Sequence, residues 1–312
     1  VRSIGRALEV APGLAAAENN RGSLLISTGD FDDGLRHLIR ATELGPGNMS
    51  YASSRLLASL YHPDLPAVDV AEAHFAWGRA QASLSEDAAS FPNSRDPERA
   101  LRVGYVSPDC CAHAVGYALL PVIQAHDPRA VEVGLYVEVP RIDAVTERFK
   151  SAVSEWRSTV GVTDAEMVKQ IRSDKIDILV DLAGHTDGNR LGIFALRAAP
   201  IQINWHGYPC TTGLGSMDYR LVDEITDPTG VADALASERL IRLPGGFVGG
   251  APHAALPPTG IPPVFSNGHV TFGSFNNFAK VNRRIVALWA RILRAVPDSR
   301  LLMKSSYGAD ES

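Results

Sequence analysis

Leu101–His113 reads LRVGYVSPDCCAH, and the fold turns on how this stretch is read. Leu101, Val103, Tyr105 and Val106 form a short apolar run of strand type, broken at Ser107-Pro108-Asp109. The loop delivers His113 just before an apolar run of helix type from Val115 to Ile123. Strand, polar loop, then helix is the opening unit of an open α/β sheet. Such sheets bind ligands beyond the carboxyl ends of their strands, which makes His113 a candidate functional residue.

Downstream, strand-type runs recur at 131–137, 177–182, 201–205 and near 219–223, with helical patterns at 115–125, 143–152 and 163–173. This alternation predicts a doubly wound, mostly parallel sheet. The run at 177–182 empties into Ala183-Gly184-His185-Thr186-Asp187-Gly188, and Ile201–Trp205 empties into His206-Gly207-Tyr208-Pro209-Cys210. Three histidines, His113, His185 and His206, therefore fall in loops after strands, two of them among glycines that let backbone approach a ligand. His185 also reads as a residue that shapes its own loop. Pro244 to Pro263 reads as an irregular connector. A new strand, Val270–Phe275, then leads through Asn276-Asn277-Phe278-Ala279-Lys280 to a helix with Ile285, Leu288, Trp289, Ile292 and Leu293 on one face. Arg300–Lys304 follows as another strand. Lys280, in the strand-to-helix loop, is well placed to meet a phosphate.

Upstream, Ala7-Leu8-Glu9-Val10-Ala11-Pro12-Gly13 recurs as Ala41-Thr42-Glu43-Leu44-Gly45-Pro46-Gly47, an offset of 34 residues. That is the period of the tetratricopeptide repeat. Gly22 and Gly34 fall where the two helices of such a repeat approach, Leu25, Leu38 and Ala41 fall at packing positions, and Pro46 closes the second helix. One repeat, 15–48, and the tail of another are covered. Asn20 matches a position on the concave surface of many such repeats, open to an extended peptide or simply solvated. Helices are expected at 50–62, with Leu56, Leu57 and Leu60 apolar, and from Val68 to Leu84, with Ala71, Phe75 and Ala82 spaced for burial. Ser85–Arg99 reads as a linker.

The 312 residues are 45% hydrophobic and 21% charged with a net charge of −5, so no basic footprint for nucleic acid is present. No window approaches a membrane span, and no signal peptide precedes the first helix. Three cysteines argue against a disulfide framework and fit a reducing cytoplasm. Cys110 and Cys111 are adjacent and Cys210 is distant, so no zinc site is expected. The chain starts on Val1 and stops at Ser312 just after a strand-type run, which reads as a fragment.

Together, LRVGYVSPD with His113, DLAGHTDGNRL (181–191), APIQINWHGYP (199–209), TTGL (211–214), MDYRLVD (217–223) and HVTFGSFNNFAK (269–280) closely resemble the protein O-linked N-acetylglucosamine transferase family in its bacterial form. The resemblance implies tetratricopeptide-type hairpins over 1–92, an N-terminal Rossmann-like half of a GT-B transferase over 93–263, and the start of the C-terminal half over 264–312. It implies transfer of N-acetylglucosamine from UDP-GlcNAc to Ser/Thr hydroxyls of polypeptides, inverting and without metal or cofactor. His113 matches the family's active-site histidine, as base or as positioning group, and Lys280 the lysine that neutralises the pyrophosphate. Asn277, Gly207, Tyr208, Pro209 and His185 are the further expected donor contacts. His62, in the Tyr-His-Pro-Asp turn, is expected on the acceptor side with Asn20, or as helix-end structure. Three departures stand out: Cys210 replaces a usual glycine, His206 stands where leucine is common, and Gly245–Ala251 lacks an aromatic-rich sequence. With most of the second half absent, donor binding by this chain alone is expected to be poor. Two other readings stay open: a peptide-binding scaffold with a degenerate transferase domain, and a UDP-sugar epimerase of the same architecture.

Overall fold

A computed structural model describes residues 2–82, 90–249 and 258–304. By contact the chain separates into two compact units, Val1–Leu65 with His253–Ser312, and Pro66–Pro252.

The first unit opens with α1 (Arg2–Val10), α2 (Ala15–Thr28), α3 (Phe31–Leu44) and α4 (Met49–Ser59). Gly22 and Gly34 do what their positions predict. A Cβ on Gly22 would lie 2.6 Å from Leu38 Cγ, and one on Gly34 2.8 Å from Ile26, so only glycines let α2 and α3 touch at this depth. Gly29, at φ +89°, ends α2 by returning its N–H to Ile26. Leu38 and Ala41 are fully buried as expected, whereas Leu25 is half-buried and Ile26 takes the core position. α4 starts on Asn48, whose side chain accepts from the N–H groups of Ser50 and Tyr51.

The second unit contains α5 (Ala67–Gln81), then β1 (Leu101–Ser107), α6 (Ala114–Ala125), β2 (Val131–Val137), α7 (Ala144–Ala152), β3 (Glu155–Ser158), α8 (Asp164–Ser173), β4 (Ile178–Asp181), α9 (Leu191–Ala195), β5 (Ile201–Asn204), β6 (Tyr219–Val222) and β7 (Arg239–Arg242). All seven strands are parallel, in the order β3-β2-β1-β4-β5-β6-β7. β1 is thus a central strand, and strand order reverses between β1 and β4. In open α/β sheets ligands gather at such a reversal, at the carboxyl edge, where the loops after β1 and β4 lie. One face of the sheet packs Val103, Tyr105, Leu135 and Val180 with Leu119 and Ile123 of α6 and Phe149 of α7. On the other, Gly104 lets Tyr136 and Leu179 close over β1.

β3 and β7 are additions to the strands legible in the sequence. Both have four residues, at the two edges of the sheet, with charged residues that hide a strand pattern. α5, read from sequence as following the repeats, packs in the sheet-bearing unit. Its buried face is Val70, Ala71, His74, Trp77 and Gly78, whereas Phe75 is half-buried and Ala82 exposed. A Cβ on Gly78 would stand 1.7 Å from the carbonyl oxygen of Gly213, so helix backbone meets loop backbone there. The expected end of this helix at Leu84, part of the linker and positions 250–257 of the connector lie outside the described residues.

The first unit resumes with α10 (Val264–Asn267), β8 (Thr271–Ser274), α11 (Arg283–Ala295) and β9 (Arg300–Met303). β8 and β9 pair in parallel, so this is a βαβ unit as expected. Among the described residues, no helix is long and apolar enough to cross a membrane.

Candidate active site

Three loops interlock at the carboxyl edge of the seven-stranded sheet. A Cβ on Gly188 would come within 2.9 Å of Pro108, joining the loop after β4 to that after β1. Gly184, at φ +53°, carries the Tyr208 ring directly on its backbone, and Gly207, at φ +70°, lies against the carbonyl of Leu182. Gly207→Ala would place a Cβ 2.1 Å from that oxygen on a left-handed backbone. We expect this variant to lose on the order of 3 kcal/mol in urea unfolding.

His113 closes the β1 loop as the N-cap of α6. Its side chain is 49% exposed, and Nδ1 lies 3.3 Å from Oδ1 of Asp109 and 3.4 Å from the Val115 N–H nitrogen. The loop beneath it is tightly held. Ser107 Oγ accepts from the Asp109 N–H, Asp143 Oδ2 accepts from the Ala112 N–H at 2.7 Å, and the 110–113 backbone bonds to itself. Cys110 is fully buried below, and burial pushes its thiol up to about 12.

His185 does not reach the surface. It is 1% exposed, with Nε2 donating to the Thr212 carbonyl at 2.9 Å, edge-on to Trp77 and beside His74 and Tyr208. Burial, then the neighbouring His74, lowers its pKa to about 3, so it is neutral. The ring, expected as a donor contact or as a residue that shapes its own loop, is enclosed by α5 and the Thr-Thr-Gly turn. Tyr208 is likewise buried, its hydroxyl donating to His74 Nε2 at 2.6 Å while His74 Nδ1 donates to the Val70 carbonyl. The ring anchors the loop, with Gly207 partly exposed and Pro209 exposed.

Two buried carboxylates hold the rest. Asp181, fully buried, accepts from the N–H groups of Ala183 and Gly184 and from Asn204 Nδ2. Burial raises its pKa to about 6 against the pull of those donors. Glu238 accepts from Thr211 Oγ1, the Thr212 N–H and Thr212 Oγ1, fixing the Thr-Thr-Gly turn. His74, Trp77, Asp181, Asn204 and Glu238 were not among the sequence candidates. For the first two the signal was there, in the helical spacing of Val70, Ala71, His74, Trp77 and Gly78.

The remaining candidates belong to the first unit. Lys280 is exposed in the loop between β8 and α11, at the end of the 3-10 turn Phe278–Lys280. Asn277 caps that turn, its Oδ1 accepting from the Ala279 N–H at 3.0 Å. Ala279 is buried in one cluster with Ile26, Phe31, Leu38 and Ala58, so the turn is seated on the helical repeat. His62 is occupied locally: Nδ1 accepts from the Asp64 N–H, Nε2 donates to Asp32, and the ring lies edge-on to Phe31. These contacts hold it in the turn that follows α4. Asn20 is exposed on α2. Among the described residues, no group of three or more His, Cys, Asp or Glu side chains is placed to hold a metal ion.

The family model of glycosyl transferase family 41 matches residues 56–258. A probable UDP-N-acetylglucosamine–peptide N-acetylglucosaminyltransferase SPINDLY of Petunia hybrida is 40% identical over 273 residues, covering 86% of this chain and 29% of that protein. Its counterpart in Solanum lycopersicum is 42% identical over 266 residues, 84% of this chain and 28% of its own length. The chain therefore spans under a third of these curated relatives. A mutant of Thermobaculum terrenum O-GlcNAc transferase superposes with a TM-score of 0.90 at 36% identity, over 97% of this chain and 57% of that one. Parallel sheet, interlocked carboxyl-edge loops and these matches agree, and the chain belongs to glycosyl transferase family 41.

Proposed function

We propose that this chain supplies part of an inverting transferase that moves N-acetylglucosamine from UDP-GlcNAc to serine or threonine hydroxyls of polypeptides. The observation that carries this reading is His113, half-exposed on a rigid loop at the point where strand order reverses, in a chain of this family. In the reaction, the acceptor oxygen bonds to the anomeric carbon as the bond from that carbon to phosphate oxygen breaks. The electron pair leaves with UDP and the hydroxyl proton must be taken up. Lys280, exposed beside the start of α11, is the cation we assign to the leaving diphosphate. Gly207 and Pro209 are assigned to the sugar, and the exposed face of α2 that carries Asn20 to the polypeptide. On this reading no metal is required, because a fixed cation meets the charge. The three free cysteines suit a reducing compartment such as the cytoplasm.

The test is incubation of the natural gene product containing this chain with UDP-GlcNAc and Ser/Thr-bearing peptides, read by mass spectrometry. Release of UDP with one N-acetylhexosamine gained on a hydroxyl is the expected result, with other nucleotide sugars as comparison. Peptide binding with no transfer from any donor would replace the enzyme with a peptide-binding scaffold.

A further inference from the structure

Phe278-Ala279-Lys280 is a single 3-10 turn, in which neighbouring side chains point about 120° apart. Whatever covers Ala279 therefore decides which way Lys280 faces. Ala279 is 3% exposed, in one apolar cluster with Ile26 of α2, Phe31 and Leu38 of α3, and Ala58 of α4. Lys280, the next residue, is exposed. On its other side, the Val281 carbonyl lies beside the turn between α2 and α3. A Cβ on Gly29 would stand 4.0 Å from that oxygen, in ordinary contact. The residues before and after Lys280 thus both lie against the helical hairpin.

Turn and seat are both stiff. The Lys280 N–H donates to the Asn277 carbonyl at 2.9 Å, the Val281 N–H to the Phe278 carbonyl at 2.8 Å, and the Ala279 N–H to Asn277 Oδ1 at 3.0 Å. Beneath them, Gly22 and Gly34 bring α2 and α3 together with no room for a Cβ at either, so the hairpin cannot slide under the turn. Arg284 of α11 also pairs with Asp64, but these side chains are 71% and 60% exposed, and such a pair adds little. The docking is apolar and runs through Ala279.

We propose that the α2–α3 hairpin belongs to the donor side of the reaction: Ile26 and Ala279 are positioning residues that hold the Lys280 ammonium where the departing diphosphate gathers charge. This rests on the assignment of Lys280 to that diphosphate above. A lysine is a point charge on a flexible stem, so its placement is only as good as that of the backbone beneath it. A shift of about 1 Å in a charged group of this kind costs up to a hundredfold in rate. The repeat therefore has two roles on one helix. Its exposed face, with Asn20, is open to polypeptide, and the carboxyl end of α2 carries the seat of the cation.

Ile26→Ala empties part of the cluster under the turn, and Ala279→Gly removes the methyl that enters it while leaving the hairpin whole. Both are tested below their melting temperatures in the natural gene product, with UDP-GlcNAc and peptide. Each is expected to lower kcat about tenfold with peptide KM unchanged, and to speed hydrogen exchange of the 278–281 amides. Ile26→Val should recover most of the rate. Placed on Lys280→Ala, neither should cost anything further, because the seat acts only through that ammonium. Wild-type kcat in both variants, a loss confined to peptide KM, or losses that multiply with that of Lys280→Ala overturn the proposal. If wild type transfers from no donor, the transferase reading falls by itself, and exchange alone then decides the seat: unchanged rates in both variants overturn it.

Discussion

Lys280→Ala is expected to reduce transfer by about a thousandfold while leaving the melting temperature unchanged. Two features separate chemistry from folding here. The ammonium is exposed, and the backbone that carries it is fixed by other atoms: Asn277 caps the 3-10 turn, and Ala279 is buried against Ile26, Phe31, Leu38 and Ala58. Removing the side chain therefore strips charge without opening a cavity. A lysine about 4 Å from a phosphate oxygen is worth roughly 4 kcal/mol at an effective dielectric near 20. About 1.4 kcal/mol corresponds to a tenfold rate change, so the loss approaches three orders of magnitude if the charge acts on the leaving group. The interaction grows as negative charge collects on the departing diphosphate, so kcat should fall more than donor affinity. Lys280→Arg should recover part of the rate. Steady-state kinetics of the natural gene product with UDP-GlcNAc decide it, and activity within threefold of wild type in the alanine variant would remove Lys280 from the chemistry.

Much of this could be read from residue order. Apolar runs bounded by turn residues marked the interior strands, because strands buried on both faces leave a continuous apolar signature, as at Asp177–Leu182. The pair Gly22 and Gly34 marked a close helix approach because only a missing Cβ allows it. What a histidine does was less legible. His113, His185 and His206 occupy equivalent positions after successive strands, yet one is half-exposed and two are buried. The difference comes from α5, a helix more than a hundred residues away in sequence from the Thr-Thr-Gly turn it packs against through Gly78 and Gly213. Trp77 and His74 of that helix roof His185. His206 sits at φ +57° beside Trp205 and Phe247, with Nε2 buried and without a partner. Both the strain and the unmet nitrogen arise from packing, which no local pattern encodes. The buried carboxylates were hidden for the same reason: Asp181 and Glu238 look like ordinary surface residues until their donors assemble around them.

Those buried groups make the fold respond to acid in two opposite ways, and single substitutions should separate them. His185 has a folded pKa near 3, below its unfolded value, so the unfolded chain binds its proton first. Its contribution is complete above the unfolded pKa and is lost as pH falls toward 3. Asp181 has a folded pKa near 6, above its unfolded value, so the folded chain takes its proton first. Its penalty on stability is present near neutrality and is relieved as pH falls through 6 toward 4. Between pH 7 and pH 4 the first effect costs ~3 kcal/mol and the second returns ~2 kcal/mol, so in the wild type they largely offset. Asp181→Asn keeps the histidine and loses the relief, so its unfolding free energy should drop ~2 kcal/mol more than wild type over that interval. His185→Phe keeps the aromatic packing and removes the titration, so it should gain ~3 kcal/mol relative to wild type over the same interval. Other carboxylates titrate in the same window, but they are common to all three proteins and cancel in the comparison. Urea unfolding at pH 7 and pH 4 on the three proteins measures the difference. Parallel pH dependence in all three would mean that water reaches both groups and that the loops at the carboxyl edge are looser than their hydrogen bonds indicate.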